Sequence, residues 1–488
     1  MGFQCLAGLL TQPSGLRIIS IGRWGSPGRN RSFGADDSCK ALWEMSVPKG
    51  SFSERHSRYL RGTGVSLMSL LNSDSTDGTA ADARCGPNRS QANMHRPATA
   101  VDDWSIRFAN GTEQRFGYAE PVFTILAPNE RSWRRIQKTG TYAAALAFIR
   151  DEIDIEGDLV AATRWWSGRR GTSLRELMMP SLTWFTPSRI ETLFQTKKRA
   201  ARNIEFHYDY PADFYKLFLD ENLIYSCAYF HETSESLDYA QTSKLDHICR
   251  KLELIAEDRF LDIGCGWGAL PIYAAKRHGL EAVGCTLSDE QYEFATQRAV
   301  REGWADRVRF LKSDYRDVNG RFSKIASVGM FEHVGRRRLT EYFRRVWQLL
   351  DDEGLFLNHG IIRPENTRDD GETVFLRKHV FPGGELATLS QVVKAAEDAG
   401  FEVVDIEGLR PHYALTCREW VSRLKTREPL ALSFVEREIY RTWLLYLAAS
   451  SASFDAGRTD IYQLLLSKRG SRRKRHLTRA HIYRSFEH

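Results

Sequence analysis

"RFLDIGCGWG", residues 259–268, is the stretch from which the fold of this chain is read. Phe260, Leu261 and Ile263 make a short apolar run, and Gly264, Gly266 and Gly268 follow at alternate positions. A short apolar run bounded by glycine fits a strand buried on both faces. Glycine then lets the backbone turn sharply and approach a ligand with no Cβ in the way. A lone G-x-G-x-G is a weak signal, but here a strand precedes it and a helix, "ALPIYAAKRHG" (269–279), follows and is closed by Gly279. Asp262, just inside the strand end, reads either as a turn-capping carboxylate or as a group that orients the glycine loop near a cationic ligand.

The alternation continues downstream. "EAVGCTLS" (281–288) reads as a strand, and "DEQYEFATQRAVREG" (289–303) as a helix ended by Gly303. Strands follow at "RVRFLKSD" (307–314) and "KIASVGMF" (324–331), then a helix at "RRRLTEYFRRVWQLL" (336–350) and a strand at "GLFLNHGII" (354–362). The helix "SQVVKAAEDAG" (390–400) and strand "FEVVDIEGL" (401–409) complete the series. Strand–helix alternation predicts an α/β fold with a parallel, doubly wound, Rossmann-like sheet, preceded by a small N-terminal α+β domain.

A dinucleotide site would place Asp or Glu at the end of the second strand. Here Thr286 ends it, followed by Leu287. Ser288 with Gln291 fits a helix-start capping box, so Gln291 is either a cap or a ribose reader. Asp314, followed by Tyr315, reads either as a helix N-cap or as a partner for the exocyclic amine of adenine. Together these features favour S-adenosylmethionine over NAD.

Composition narrows the class. The chain has 488 residues, 42% hydrophobic and 27% charged, as in an ordinary globular protein. No apolar run reaches the ~20 residues of a spanning helix, and "WLLYLAASSASF" (443–454) is too short and too rich in Ser. The eight cysteines are scattered with no C-x-x-C pair, which argues against structural zinc and a disulfide framework and fits a cytoplasmic protein with no metal. From Leu466 to His488 there are eight Lys or Arg against one Glu, which accounts for the whole net charge of +7. The chain therefore carries a basic tail, 469–488, and not a nucleic-acid-binding fold. The tail is either solvated or drawn to anionic lipid.

Residues 1–93 lack periodicity and read as a disordered or non-native extension. From 94 to 160, "WSIRFANGTEQRFG", "PVFTILAP" and "SWRRIQKTGTYAAALAFIRD" give the small domain, and 161–205 an aromatic and basic helical linker. The catalytic domain is expected over 206–468.

The blocks "HYDYPADFYKLFLDENLIYSCAYF" (207–230), "KLDHICRKLEL" (244–254), "FLDIGCGWG", "GCTLSDEQ", "SDYRD", "SVGMFEHVG" (327–335), "FPGGEL" (381–386), "GFEVVDIEGLRPHYALT" (400–416) and "IYQLLL" (461–466) resemble the cyclopropane-fatty-acyl-phospholipid synthase and mycolic acid cyclopropane synthase family. The resemblance runs from about 100 to 468. It implies transfer of a methylene from S-adenosylmethionine to a cis double bond of a phospholipid acyl chain at a membrane surface, with a carbocation deprotonated by bound bicarbonate. A related lipid C-methyltransferase giving methyl-branched or methylene chains is the alternative. It places the bicarbonate pocket on Cys227, Glu332, His359, Ile361 and Tyr413. Cofactor contacts fall on Tyr225, Ser226, Gly264, Gly266, Trp267, Thr286, Leu287, Gln291, Asp314 and Tyr315, to which the glycine turn itself adds Asp262 and Gly268. The resemblance makes the sheet one of the class I methyltransferase type and the small domain lipid-facing. Peripheral membrane association is expected, and a homodimer is allowed. Two departures stand beside the site: Tyr210-Pro211-Ala212 after the "HYD", and Gly360 where Thr is common in the family.

The chemistry suits these residue types. An alkene has no proton to lose before methylation, so the product is a cation, and the site must exclude water, tolerate positive charge and supply a base. Cys227 has no basic neighbour in sequence, which favours a backbone or packing role over nucleophilic catalysis. His359, at a strand's carboxyl end, is a structural histidine on its own residues and an ion ligand by the resemblance.

Overall fold

The computed structural model describes residues 103–168, 210–365, 367, 375, 380 and 385–483, all within one unit spanning Arg84–His488. The extension at 1–93 and most of the expected linker lie outside the described residues.

Strand β5 (Arg259–Ile263) is buried from its second residue onward and pairs in parallel with β6 (Glu281–Thr286) and β8 (Phe322–Val328). With β7 (Val308–Lys312), β9 (Leu350–Ile362), β10 (Phe401–Gly408) and β11 (Asp460–Lys468) it makes a seven-stranded sheet in the order β10-β11-β9-β8-β5-β6-β7. The chain winds outward through β6 and β7, then crosses to β8 on the other side of β5. The carboxyl ends of β5 and β8 therefore flank the point where strand order reverses, the place where such sheets bind ligands. One strand breaks the parallel expectation: β11 is antiparallel to both β10 and β9.

Helices cover both faces. On one side lie α4 (Leu237–Leu252), α5 (Ala269–His278) and α6 (Asp289–Arg301); α7 (Leu339–Leu349) and α8 (Leu389–Asp398) pack with the apolar residues of the other face. Local sequence sets their ends. Ser236 caps α4 by accepting the Tyr239 amide at 3.3 Å, and Thr388 and Gln391 form a full capping box on α8. Gly279 ends α5 at φ 71°, a conformation that costs other residues strain.

The small domain is a second sheet, β2-β1-β3-β4, made of Trp104–Phe108 (β1), Glu113–Phe116 (β2), Phe123–Ala127 (β3) and Asp154–Gly157 (β4). Its core is aromatic: the buried Trp104 ring lies 4.3 Å from Trp165, and exposed Phe116 stacks on it from outside at 4.1 Å. Trp165 sits on helix Leu159–Gly168, which spans the expected domain boundary at 160. That helix packs on α10 (Arg437–Asp455), reached after α9 (Arg410–Thr426). Buried Arg441 of α10 donates to the carbonyls of Phe148 at 2.6 Å and Ile153 at 2.9 Å, fastening the small sheet to the large unit. The run 443–454 thus lies within a helix of the core, and among the described residues no helix is long and apolar enough to cross a membrane.

The described part of the basic tail is laid along the protein. Arg473 pairs with Glu253, Arg475 with Glu402 and Arg479 with Asp405, while the Tyr483 hydroxyl donates to Glu407 Oε1 at 2.8 Å. His476 and His481 stack 3.8 Å apart beside Glu253. Much of the tail's charge is answered by the chain's own carboxylates.

Candidate active site

The residues expected to hold the cofactor line one cavity at the carboxyl ends of β5 and β6, with Gly268 the exception. Gly264 and Gly266 take φ values of 79° and 53°, which glycine adopts without strain. A Cβ built on Gly266 meets nothing within 4 Å, so the turn leaves open space there. Gly268 has a different task. A Cβ on it would come within 2.7 Å of the Phe310 ring and 2.8 Å of Ala295, so its bareness lets α5 seat against β7 and α6.

The two-way readings resolve into particular contacts. Asp262 does not cap the turn through Oδ1, which is buried with no partner. Burial pushes its carboxyl up to about 7, against the pull of the Lys244 ammonium. Ser288 accepts the Gln291 amide at 3.3 Å, but the Gln291 side chain accepts from Thr286 Oγ1 at 2.8 Å and does not close a capping box. Asp314 both lines the cavity and caps the 3-10 turn Tyr315–Asp317, its oxygens taken by the Arg316 amide at 2.9 Å and the Arg316 guanidinium at 2.8 and 2.6 Å. The Tyr225 hydroxyl donates to Tyr446 at 3.2 Å, and buried Trp267 packs edge-on to Phe294.

Beyond the strand ends, Glu332 sits in a 3-10 turn, Phe331–His333, directly after β8. Its Oε1 accepts the Ile361 amide at 2.7 Å, while Oε2 is buried with no partner. Burial raises this carboxyl to about 7. The Ile361 amide is therefore engaged by Glu332 and acts on the site through it. His359, 1% exposed, has Nδ1 3.3 Å from Gln463 Nε2, and its Nε2 is a second buried atom with no partner. Burial first, then the Lys244 and Lys251 charges, holds it well below the usual imidazole range, so the ring is neutral.

Tyr413, near the start of α9, packs 4.5 Å from Phe454, and burial raises its phenol. Cys227 is fully buried, its Sγ 3.2 Å from the Ala228 carbonyl, and burial pushes the thiol up. A thiol so held is a poor nucleophile. His333 lines the cavity, and burial lowers it to about 4.

Both departures from the family pattern have a visible setting. Tyr210 is a core residue, its ring 5.7 Å from both Phe214 and Trp443. At Gly360 a Cβ would land 2.0 Å from Phe331 Cε1, so the Phe331 ring occupies the volume a threonine would need.

Sequence reading did not single out Lys244. It lies on α4 with His247 and Lys251 at helical spacing, a polar stripe on a helix that is buried nearly all round. That stripe was the available signal, but charges on a helix ordinarily mark its wet face.

Residues 195–464 match the family described as mycolic acid cyclopropane synthetase. The chain belongs to that family. A probable fatty acid methyltransferase of Pseudomonas putida is 38% identical over 356 residues, covering 71% of this chain and 88% of the relative. The tuberculostearic acid methyltransferase of Mycobacterium tuberculosis is 36% identical over 317 residues, covering 61% of this chain and 73% of its own. Among solved structures, a mycolic acid cyclopropane synthase in complex with SAH and CTAB superposes with a TM-score of 0.54 at 30% identity, over 57% of this chain and all of that one. The matched family segment takes in the glycine turn, Glu332, His359 and Tyr413.

Proposed function

We propose that the protein is an S-adenosylmethionine-dependent lipid methyltransferase that acts on a cis double bond of an unsaturated fatty acyl chain of a phospholipid and closes a cyclopropane ring. The observation that carries the reading is Glu332 Oε2, a buried carboxylate oxygen with no partner at the carboxyl end of β8. Leaving such an atom unpaired costs roughly 1–3 kcal/mol, more if charged, so it is kept for a ligand.

The residues present fit both groups. The glycine turn at Gly264 and Gly266 opens onto a cavity walled by Trp267, Gln291 and Tyr315, which suits an adenosine-bearing ligand. When bound, S-adenosylmethionine supplies an electrophilic methyl group. Bicarbonate would be held by Glu332, neutral His359 and the Tyr413 hydroxyl, and would supply a mild base. The chain's own part is to position and to exclude water. Ile361 fixes Glu332, Gln463 fixes the His359 ring, and Tyr225 lines the cavity with a ring face that tolerates a cation, backed by Trp420 at 5.1 Å and Trp443 at 5.9 Å. Association with the membrane would be peripheral.

Purified protein incubated with labelled S-adenosylmethionine and vesicles of a cis-unsaturated phospholipid should yield acyl chains heavier by one CH₂ and bearing cyclopropane protons by NMR. In bicarbonate-depleted buffer the rate should fall and recover on addition of bicarbonate. No label in lipid would sink the reading. A rate indifferent to bicarbonate would remove that ion from it.

A second reading, transfer to the same double bond with a methyl-branched or methylene product, is favoured by the names of the two fatty acid methyltransferases above, whose matches are longer than the 277 residues shared with the cyclopropane mycolic acid synthases. Exocyclic methylene protons in place of cyclopropane protons would select it.

A further inference from the structure

Away from the cavity, the described tail gathers a group of side chains around the end of α4. Glu253 follows the last residue of that helix and takes φ 51°, the left-handed conformation in which glycine is the usual helix end. Glycine would stand there without strain, so what the position gains from glutamate is a carboxylate. Around that carboxylate stand Arg473, His476 and His481. His476 Nε2 lies 3.3 Å from Oε2, and His481 Nε2 lies 3.9 Å from Oε1. As ion pairs the group is mismatched. Arg473 alone balances the single carboxylate, and two protonated imidazoles stacked 3.8 Å apart would repel each other. Burial first, then His476, lowers the His481 imidazolium, which frees a nitrogen lone pair. Burial raises the Glu253 carboxyl, but Arg473 and His476 outweigh it and keep the group ionised. The cluster thus offers imidazole nitrogens and an ionised carboxylate, with one donor atom from each residue within 4.8 Å of the others.

We propose that Glu253, His476 and His481 form a binding site for a divalent transition metal, zinc above all, that clips the tail to the end of α4. Two imidazoles and one carboxylate are a donor set that zinc accepts, with the fourth position left to water. Ligands on one tetrahedral zinc stand about 3.3 Å apart, given bonds of about 2.0 Å. The Glu253–His476 spacing already fits, and His481 has to move inward. The two rings also have to splay from their stack to aim at one point. Exposed His476 has room to turn. Ile482, buried beside His481 and with its carbonyl 3.4 Å from Arg250 Nη1, holds the segment in place. Arg473 does not close the carboxylate, which has about four lone-pair sites. The expectation of no metal rested on the cysteines, which bear only on thiolate sites.

The test titrates ZnCl₂ into the full chain, free of any affinity tag, in a calorimeter at neutral pH. Cysteines and histidines elsewhere can also take zinc, so the wild type is compared with His476→Gln, His481→Gln and Glu253→Gln. Each variant should lose this site or bind zinc there more than about tenfold more weakly, since even a residue that only orients a ligand is worth roughly ten- to a hundredfold. Zinc should also raise the melting temperature of the wild type more than that of the variants. MgCl₂ should give neither effect, because imidazole is a poor ligand for magnesium. Superposable zinc isotherms for the wild type and His476→Gln overturn the proposal; His476 is exposed, so its replacement leaves the fold intact. Magnesium bound as tightly as zinc overturns it too, because that is only a carboxylate attracting cations.

Discussion

Glu332 and Ile361 are joined by a single 2.7 Å hydrogen bond, backbone amide to carboxylate Oε1, which leaves Oε2 buried and free for a ligand. The turn after β8 is thereby tied to the carboxyl end of β9, and two strand ends share one acidic group.

Glu332→Gln keeps an acceptor for the Ile361 amide but loses the charge. Lipid product should fall about 10²–10³-fold, with S-adenosylhomocysteine affinity unchanged in calorimetry. Stability should move the other way with pH. The folded carboxyl titrates at about 7, above its unfolded value of roughly 4.3, so the native state holds the extra proton between the two. Wild-type stability therefore loses this contribution as pH rises across that interval, whereas the glutamine has nothing to lose. Urea unfolding from pH 4 to 8 should show the variant gaining on the wild type; parallel curves would place Glu332 in a solvated turn.

The glycines of the turn should fail in different ways. Gly266→Val puts a branched side chain at φ 53° into open cavity, so S-adenosylhomocysteine binding should be lost, with some backbone strain. Gly268→Ala collides with Phe310 and Ala295, so its cost should fall on folding, roughly 1–3 kcal/mol in denaturant titration. Equal loss of binding in both folded variants would contradict this division.

Cys227→Ala should retain product formation within a few-fold, and the wild-type thiol should resist iodoacetamide until the protein unfolds. The thiol is buried and pushed up by burial, and it lies against the carbonyls of Ala228 and Leu409 and the hydroxyl of Thr416. Activity abolished in a folded Cys227→Ala protein would revive a nucleophilic role.

Glu407 gathers His247 Nε2 at 2.7 Å, Lys251 Nζ at 2.5 Å and the Tyr483 hydroxyl of the tail. Burial alone would raise its carboxyl, but the His247 hydrogen bond and the Lys251 charge hold it well below the usual range. The stability it contributes is present above the unfolded value of roughly 4.3 and drains away as pH falls toward the folded one. Glu407→Gln should cost about 3 kcal/mol at neutral pH by leaving Lys251 under-compensated, and less in acid. Thermal melts of this variant at pH 7 and pH 4 check both statements.

What the sequence made legible was local. "RFLDIGCGWG" carries its own strand, turn and helix start, and Ser288 and Gly303 bracket α6 because caps are short-range signals. Strand direction is a long-range property, so the antiparallel β11 was not to be read from "IYQLLL". The strand expected to run through Phe331 stops at Val328, because Gly329 takes φ 66° and the chain turns into the 3-10 segment that aims Glu332. Of the candidate site, the glycine turn stood out by its own residues, and Glu332 through the family resemblance. Lys244 did not, since the polar stripe it shares with His247 and Lys251 reads as the wet face of a helix.

The placement of β11 has a consequence for how the protein is made. Among the described residues it is the last strand, yet it lies between β10 and β9, with Tyr462 opposite Gly360 and Leu464 opposite Asn358. Until residue 468 has left the ribosome, β9 and β10 each present an unpaired edge, the kind that sticks to other strands. His359 also lacks Gln463 until then. The nascent chain therefore carries its whole glycine turn for some time before His359 gains its partner.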